Sequence, residues 1–430
     1  MPNIDRSFLQ IQSLGECLIQ SPLEESEVRF VSDEEAVLLE REYTKLVEMQ
    51  KTNGQIPVFE VAGPRRMLFH NPHWSKAAIL TAGGLCPGLN NVIKSLTLAL
   101  KSYGVPLVYG IPYGYAGLNP NCQTKPITLD RETVDDIHEQ GGTILGSSRG
   151  AQDPVVMLET LVRMDINMLF CVGGDGTLRS AHAIAEEAAK RKLNISVIGI
   201  PKTIDNDISY MDRTFGFETA VYATNSVIVA AHNEAKGAYN GIGLIHVMGR
   251  DSGFIAAYAA LANTHVNYCL VPEEKFNLEE GPNALLPHLM DRLARRKHAV
   301  IIVAEGAGQD LMAGEREIDK SGNVLHKNIG MFLKQKIKEY ADAHHVEVNI
   351  KYFDPTYQIR GIPAIGADAV LCHLLAQNAV HAAMAGRTDM VIAQWGDGFT
   401  HVPIPVAVKE RKKIDPNGTL WRSIRLGTWQ

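Results

Sequence analysis

From Lys76 to near the end of the chain, runs of apolar residues alternate with stretches of helical spacing. Short uninterrupted runs such as KAAILTA, MLFCVGG, ISVIGIP and HAVIIVAEG have the pattern of buried strands. Stretches such as NNVIKSLTLALKSYG and FETAVYATNSVIVAAHNEA have the periodicity of helices. Because buried strands that alternate with helices form parallel sheets covered on both faces, the pattern predicts an α/β fold. We expect two doubly wound, mostly parallel sheets in two lobes.

Residues 1–75 lack this alternation, and we expect them to form an N-terminal extension packed on the main body. SPLEESEVRFVSDEEAVLLE is acidic without a sustained strand pattern, and FEVAGPRRMLFHNPHW is loop-like, with two prolines after an extended run. Residues 76–216 are predicted to form a first lobe, which residues 360–413 complete. Residues 217–359 are predicted to form a second lobe, which the C-terminal tail, residues 414–430, completes.

Composition and charge exclude several classes of function. The formal net charge of -6 argues against a general nucleic-acid binder, because such proteins usually carry a basic excess. No apolar run approaches the roughly 20 residues of a membrane-spanning helix. The N-terminus lacks the basic and apolar regions of a secretory signal, and no cysteine pair has CxxC spacing. We therefore expect a cytoplasmic protein that binds neither nucleic acid nor a membrane.

The ligands of such sheets bind beyond the carboxyl ends of the strands, so the loops that leave strands are the places to search. In TAGGLCPGLNN, Gly84 and its neighbouring glycines expose backbone N–H groups that suit an anion, although a tight strand-to-helix turn would need the same residues. The loop is neither a Walker A motif nor a dinucleotide fingerprint. In GGTILGSSRGAQD, Arg149 is a lone cation that suits phosphate oxygens or, alternatively, is a solvated loop arginine.

The stretch VGGDGTLRSA places Asp175 between Gly174 and Gly176, with Thr177 following. Mg²⁺ keeps several waters and takes one or two carboxylates together with substrate phosphates, so Asp175 is a candidate metal ligand. The motif is ambiguous by itself. It also occurs in kinases that act on lipids or on NAD, and simple turn chemistry is a third interpretation.

The stretch IPKTIDNDISY carries two aspartates at i and i+2. In an extended segment such side chains point the same way, so we expect Asp205 and Asp207 to face one side. Two ionised carboxylates close together repel each other unless a cation is near. We therefore expect one of them to interact with a metal or a basic group while the other takes a proton. Asp205 is the candidate acceptor of the proton of an attacking hydroxyl, and Lys202 adds a point charge for phosphate. An Asx-rich turn is the structural alternative.

Seven loops stand in the order that the phosphofructokinase family uses, namely GGLCPGLN, LGSSRG, GGDGT, PKTIDND, MGRDSG, AEG and QIRG. The chain resembles that family over about residues 76–400. The segment FEVAGPRRMLF also resembles the one that precedes the core in the ATP-using plant and trypanosomatid branch. The resemblance implies transfer of the γ-phosphoryl group of ATP to the 1-hydroxyl of fructose 6-phosphate, with Mg²⁺, in glycolysis. It also implies a nucleotide-binding first lobe, a sugar-phosphate-binding second lobe, and a homodimer or homotetramer.

The same resemblance implies roles for individual residues. Asp205 matches the general base, Asp175 the metal carboxylate, and Arg149 the arginine near the transferred phosphoryl group, where Lys202 is expected to assist. The positions matched on the nucleotide side are Gly84, Arg149, Gly174, Asp175, Gly176 and Thr177. The positions matched on the sugar-phosphate side are Thr203, Asp205, Asp207, Met248, Gly249, Arg250, Glu305, Lys351, Tyr357 and Arg360.

Two residues bear on the identity of the phosphoryl donor. Pyrophosphate-using members of the family resemble this chain at Lys202, where the bacterial pattern has a glycine, but they carry an aspartate where Gly176 stands. A carboxylate there would occupy the space of a nucleotide's α-phosphate and repel its charge, whereas Gly176 leaves that space open. The sequence therefore predicts ATP as the donor, with a pyrophosphate-dependent phosphofructokinase as the alternative.

Two other positions depart from the bacterial pattern. Gly241 stands where an arginine of a neighbouring subunit usually reaches the 6-phosphate, and Lys351 replaces another such arginine. A lysine binds phosphate as a point charge and not as a bidentate fork, so the resemblance does not extend to the bacterial intersubunit clamp. A non-catalytic subunit that senses sugar phosphate is disfavoured, because both Asp175 and Asp205 are present.

Overall fold

The computed structural model describes residues 9–26, 28–54, 56–281, 284–312, 314 and 325–429. Parts of the predicted extension, residues 1–8, 27 and 55, lie outside the described residues. The strands are β1 Gln12–Ser13, β2 Ile19–Gln20, β3 Ala36–Leu38, β4 Val58–Val61, β5 Met67–Leu68, β6 Lys76–Thr81, β7 Leu107–Ile111, β8 Ile127–Thr128, β9 Met168–Gly173, β10 Ser196–Pro201, β11 Gly241–Val247, β12 Tyr268–Leu270, β13 His298–Ala304, β14 Asn349–Phe353, β15 Arg387–Thr388, β16 Met390–Trp395 and β17 Gly398–Pro403. The helices are α1 Tyr43–Asn53, α2 Leu89–Tyr103, α3 Pro154–Arg163, α4 Asp175–Lys190, α5 Phe217–Lys236, α6 Phe254–Ala262, α7 Leu285–Arg296, α8 Ile329–Ala343, α9 Gly366–Met384, α10 Ile404–Ala407 and α11 Thr419–Gly427.

The chain divides into two compact units. The first unit comprises Met1–Thr203, Ile208–Phe215 and Pro363–Glu410, and the second comprises Ile204–Asp207, Gly216–Ile362 and Arg411–Gln430. The turn with Asp205 and Asp207 therefore belongs to the second unit, although its sequence position lies within the predicted first lobe. The N-terminal extension belongs to the first unit.

The first unit is built on a nine-stranded sheet with the order β3-β4-β17-β16-β10-β9-β6-β7-β8. Its centre, from β16 to β7, is parallel, and the strands that flank this centre are antiparallel. β9 and β10 are buried at every position, as uninterrupted apolar runs predict. α2 packs on α9, and α3 packs on α4. The predicted α/β architecture is confirmed for this unit.

The second unit contains a four-stranded sheet with the order β12-β13-β11-β14, in which every pair is parallel. β11 is buried along its whole length, and α5 packs against β11, β13 and β14. The predicted second parallel sheet is therefore confirmed. Among the described helices, none combines the length and the apolar character that crossing a membrane requires.

The N-terminal extension adds strands to the edge of the first sheet. β4 pairs antiparallel with β17, and β3 pairs antiparallel with β4. The extended run that precedes the prolines of this segment forms the strand β4 at Val58–Val61, where only Phe59 is fully buried. Strands of three and four residues with so few buried positions lack the apolar run that marks a central strand.

A network of charges centred on Glu60 fastens this edge to the sheet. The Glu60 Oε1 atom accepts hydrogen bonds from Arg65 Nη2 at 3.1 Å and Arg387 Nε at 2.9 Å, and lies 3.1 Å from His401 Nδ1. Arg65 and Arg387 both also donate to Asp33 Oδ1 at 2.7 Å. Burial alone would raise the pKa of Glu60, but pairing with His401 and Arg387 outweighs it and lowers this pKa to about 2.

We expect Glu60→Gln to destabilise the protein at neutral pH, because it leaves the buried Arg65 and the partly buried Arg387 with Asp33 as their shared carboxylate in this network. The midpoint of thermal unfolding should fall by roughly 5–10 °C. A lowered carboxylate pKa stabilises the fold above the unfolded pKa of about 4.3 and loses that effect as pH falls through about 2. In calorimetry, the difference in stability between the variant and wild type should therefore shrink as the pH falls from about 4 towards about 2. The exposed Glu34→Gln serves as the control, and an equal loss in both variants would contradict the assignment.

Candidate active site

Backbone contacts join the first two glycine-rich loops of the first unit. The Gly83 N–H donates to Ser148 O at 3.1 Å, and Ser147 Oγ donates to Gly83 O at 2.5 Å. Gly88, with a φ of 99°, precedes α2, and a Cβ on it would lie 2.6 Å from Cys372 Sγ. The sequence therefore needs glycine at position 88 for both backbone conformation and packing.

The GGDGT stretch forms the N-terminus of α4, with Gly174 as the N-cap and Asp175 as the first helical residue. A Cβ on Gly173 would meet Thr177 Oγ1 at 2.2 Å, so the fold requires glycine there. A Cβ on Gly176 would meet nothing within 4 Å. The packing of the protein therefore does not explain Gly176, which is exposed in the first turn of the helix.

Lys202 connects two of these loops. Its Nζ donates to Gly84 O at 2.8 Å, and its backbone N–H donates to Gly173 O at 3.0 Å. The Lys202 side chain is buried, which places the ammonium charge inside the unit. Arg149 is exposed, and among the described residues its side chain makes no ion pair.

Asp175 has the donor chemistry of a magnesium ligand. Its carboxylate lies at the positive end of α4 and 3.4 Å from Arg179 Nη2, one turn along the helix. No three His, Cys, Asp or Glu side chains of the described chain are arranged to hold a metal ion by themselves. A single carboxylate fits Mg²⁺ only in the mode where phosphates and waters complete the shell.

In the second unit, Asp205 and Asp207 lie on a turn and not on an extended segment. Asn206 between them has a φ of 52°, so the prediction that i and i+2 spacing aligns the two side chains is wrong in its geometry. Asparagine tolerates this left-handed conformation because its short side chain bonds locally. The charge of Asp207 nevertheless acts on Asp205 and raises its pKa.

The Asp205 carboxyl group has a strongly perturbed protonation equilibrium. Burial is the largest cause that raises its pKa, and the carboxylates of Asp207 and Glu305 raise it further. The cations of Arg411 and Arg250 act in the opposite direction but do not restore the ordinary value. Asp207, Glu305 and Arg250, which the sequence predicts for the sugar-phosphate side, thus act electrostatically on Asp205.

Arg411 is a part of this group that sequence analysis missed. Its Nη1 atom lies 2.8 Å from Asp207 Oδ2 and 3.0 Å from Asp251 Oδ2. Arg411 stands in the charged run KERKK, which resembles a solvated loop. No motif or spacing in that run could have identified it.

The loops MGRDSG and AEG follow β11 and β13, which pair in parallel, so their residues emerge at one edge of the sheet. The Gly306 N–H donates to Gly249 O at 2.9 Å, and the Glu305 N–H donates to Val247 O at 2.9 Å. Gly249 has a φ of 131°, a conformation that strongly favours glycine. Met248, beside it, is partly exposed at this edge.

The remaining predicted sugar-phosphate residues make other contacts. Lys351 Nζ, on β14, lies 4.0 Å from Glu234 Oε2. The Arg360 guanidinium lies over the Tyr357 ring at 4.6 Å from its centroid, and Tyr357 is 76% exposed. Thr203, in the first unit, accepts a hydrogen bond from Thr214 through its carbonyl oxygen.

Known proteins similar to this chain have been curated as phosphofructokinases. ATP-dependent 6-phosphofructokinase of Borreliella burgdorferi is 47% identical over 98% of this chain and 96% of its own length. ATP-dependent 6-phosphofructokinase of Trypanosoma brucei brucei is 46% identical over 85% of this chain and 75% of its own length. The resemblance to the ATP-using trypanosomatid branch is confirmed.

A solved structure and a family model also match this chain. Pyrophosphate-dependent phosphofructokinase from Marinobacter aquaeolei matches with a TM-score of 0.67 over 81% of this chain and 90% of its own, at 19% identity. At that identity the match shows the fold alone. The family model described as Phosphofructokinase matches residues 76–383. The chain belongs to the phosphofructokinase family.

Proposed function

We propose that this chain is an ATP-dependent 6-phosphofructokinase. It transfers the γ-phosphoryl group of ATP to the 1-hydroxyl of fructose 6-phosphate and releases fructose 1,6-bisphosphate and ADP. The observation that carries the proposal is the open space at Gly176 beside the carboxylate of Asp175. A long polyphosphate can pass there, and the relatives named above are ATP-dependent.

The first unit binds the donor in this proposal. Backbone N–H groups near Gly84 and Gly174 and the N-terminus of α4 bind the phosphates, with Thr177 in the first turn of that helix. Asp175 would hold Mg²⁺, which when bound neutralises charge that develops on the phosphates. Arg149 and Lys202 supply protein cations for the transferred group.

The second unit binds the acceptor. Asp205 takes the proton of the 1-hydroxyl while the hydroxyl oxygen forms a bond to the γ-phosphorus. The bond between the γ-phosphorus and the ADP oxygen breaks in the same step. The raised pKa of Asp205 makes it a stronger base than an ordinary aspartate. The residues that bind the sugar phosphate are Thr203, Asp207, Met248, Gly249, Arg250, Glu305, Lys351, Tyr357 and Arg360.

The family resemblance further supports a homodimer or homotetramer that works in cytoplasmic glycolysis. Pyrophosphate as the donor is the second candidate, because Lys202 is shared with pyrophosphate-using members. A lipid or NAD kinase that shares GGDGT would not require PKTIDND or QIRG.

Steady-state assays test the proposal directly. The purified chain should convert fructose 6-phosphate with ATP and Mg²⁺. It should be inactive when pyrophosphate replaces ATP, and when NAD or diacylglycerol replaces fructose 6-phosphate. The Asp205→Asn variant gives the background rate of the preparation. Its turnover should be at least about 10²-fold slower than that of wild type, because the variant lacks the general base. Brisk turnover with pyrophosphate and none with ATP would overturn the choice of donor and leave the sugar kinase intact.

Gly176→Asp should lower kcat/KM for ATP by about 10²-fold or more, because a carboxylate close to a phosphate costs several kcal/mol. The fold should tolerate the change, since a Cβ there meets nothing within 4 Å and an acid suits the first turn of a helix. Gly176→Asn, of equal size but uncharged, should lose less. Equal losses in the two variants, or unchanged ATP kinetics in Gly176→Asp, would refute the electrostatic account.

The acid limb of kcat/KM should lie well above the ordinary aspartate pKa, because Asp205 must be ionised and its pKa is raised. Asp207→Asn removes a like charge, so this limb should move to lower pH by about one unit, whatever happens to the rate itself. Asp291→Asn, an exposed acid on α7, is the control. An acid limb that stays in place in Asp207→Asn would show that the charge of Asp207 does not raise the pKa of Asp205.

A further inference from the structure

Residues 411–414 form a short segment at the point where the chain re-enters the second unit, and several contacts fix it there. The Lys412 N–H donates to Asp207 O at 2.8 Å. The Ile414 N–H donates to Glu273 Oε1 at 3.0 Å. The segment is therefore held at both ends by groups of the second unit, and one of its anchors is the turn that carries the acidic pair.

The same segment is joined to the MGRDSG loop. The carboxylate of Glu273 also accepts from the Gly253 N–H, with both oxygens at 3.1 Å, at the N-cap of α6. The Lys412 ammonium lies over the Phe254 ring at 5.2 Å from its centroid. The backbone that carries Arg411 is therefore held by the turn with Asp207 and by the carboxylate of Glu273. This gives the Arg411 guanidinium a defined position.

Arg411 bridges two acids with one nitrogen, at 2.8 Å from Asp207 Oδ2 and 3.0 Å from Asp251 Oδ2. Asp207 is almost fully buried, and Arg411 and Asp251 are partly buried. A buried carboxylate that loses its cation partner is left without charge compensation and tends to move. The bridge thus holds the Asp207 carboxylate in one orientation.

The charges that face Asp205 come from four elements. Asp207 lies on the same turn, Glu305 follows β13, Arg250 follows β11, and Arg411 lies on segment 411–414. Two of these groups are negative and two are positive, and the positive ones oppose protonation of Asp205. Arg250 is among the residues that we propose to bind the sugar phosphate, whereas Arg411 is held by protein carboxylates.

We propose that Arg411 is a positioning residue of the acceptor site, whose bridge between Asp207 and Asp251 fixes the acidic turn and keeps Asp205 ionised for proton transfer. This inference rests on the proposed function. It assigns a role in the reaction to a residue that lies 204 positions from its partner Asp207 and outside every recognised loop.

The test compares Arg411→Met and Arg411→Gln with Arg422→Met, an exposed arginine on α11 of the same unit. Full-length proteins are assayed with ATP and fructose 6-phosphate between pH 5.5 and 9, and their thermal midpoints are measured. Both Arg411 variants should shift the acid limb of kcat/KM to higher pH by about one unit, which lowers the rate about tenfold at a pH below the limb. Arg422→Met should leave the limb in place. In an Asp207→Asn background, Arg411→Met should shift the limb less, since the charge that it pairs with is gone.

An acid limb that stays in place in either folded Arg411 variant would overturn the inference, even if the rate falls. Loss of folding in both variants, with Arg422→Met folded, would also overturn it, because Arg411 would then serve the fold and not the acid. An inactive wild type would reject the proposed function itself, which the wild-type curve reveals before any variant is compared.

Discussion

The constraint on which the rest of this structure depends is the burial of parallel strands on both faces. β9, β10 and β11 have no exposed position. A polar side chain within them would lose its hydrogen bonds to water, so polar groups concentrate where the strands end. Lys202 directly follows β10, and Glu305 directly follows β13. The chemistry of both units is therefore confined to a few loops.

This constraint also explains how much of the fold the sequence predicts. Buried central strands are visible in the sequence as short apolar runs. The helices between them are visible because their apolar residues recur with helical periodicity. The strand β4, which lies between β3 and β17, is not visible in this way, because charged side chains hold it in place. Glu60 reaches Arg387 and His401, which lie 327 and 341 positions away. Contacts so distant in sequence leave no local pattern.

The acidic turn shows the same limit within the site. The sequence spacing predicts that Asp205 and Asp207 face one side of an extended segment, but Asn206 between them has a left-handed conformation, and Asp207 acts on Asp205 through its charge. A buried pair of acids requires positive charge nearby, and the chain can bring that charge from any position. Here Arg411 supplies it, and only the folded structure identifies it.

The two signals for the phosphoryl donor differ in weight for a structural reason. Lys202 is buried with its Nζ on the carbonyl oxygen of Gly84, so it joins two loops of the first unit whatever the donor is. A lysine with that task is weak evidence for pyrophosphate. Gly176 has no such task, since a Cβ there would meet nothing within 4 Å, and glycine in a helix costs about 0.5–1 kcal/mol relative to alanine. A residue that the fold does not require reports more directly on the ligand, and Gly176 is therefore the residue that favours ATP as the donor.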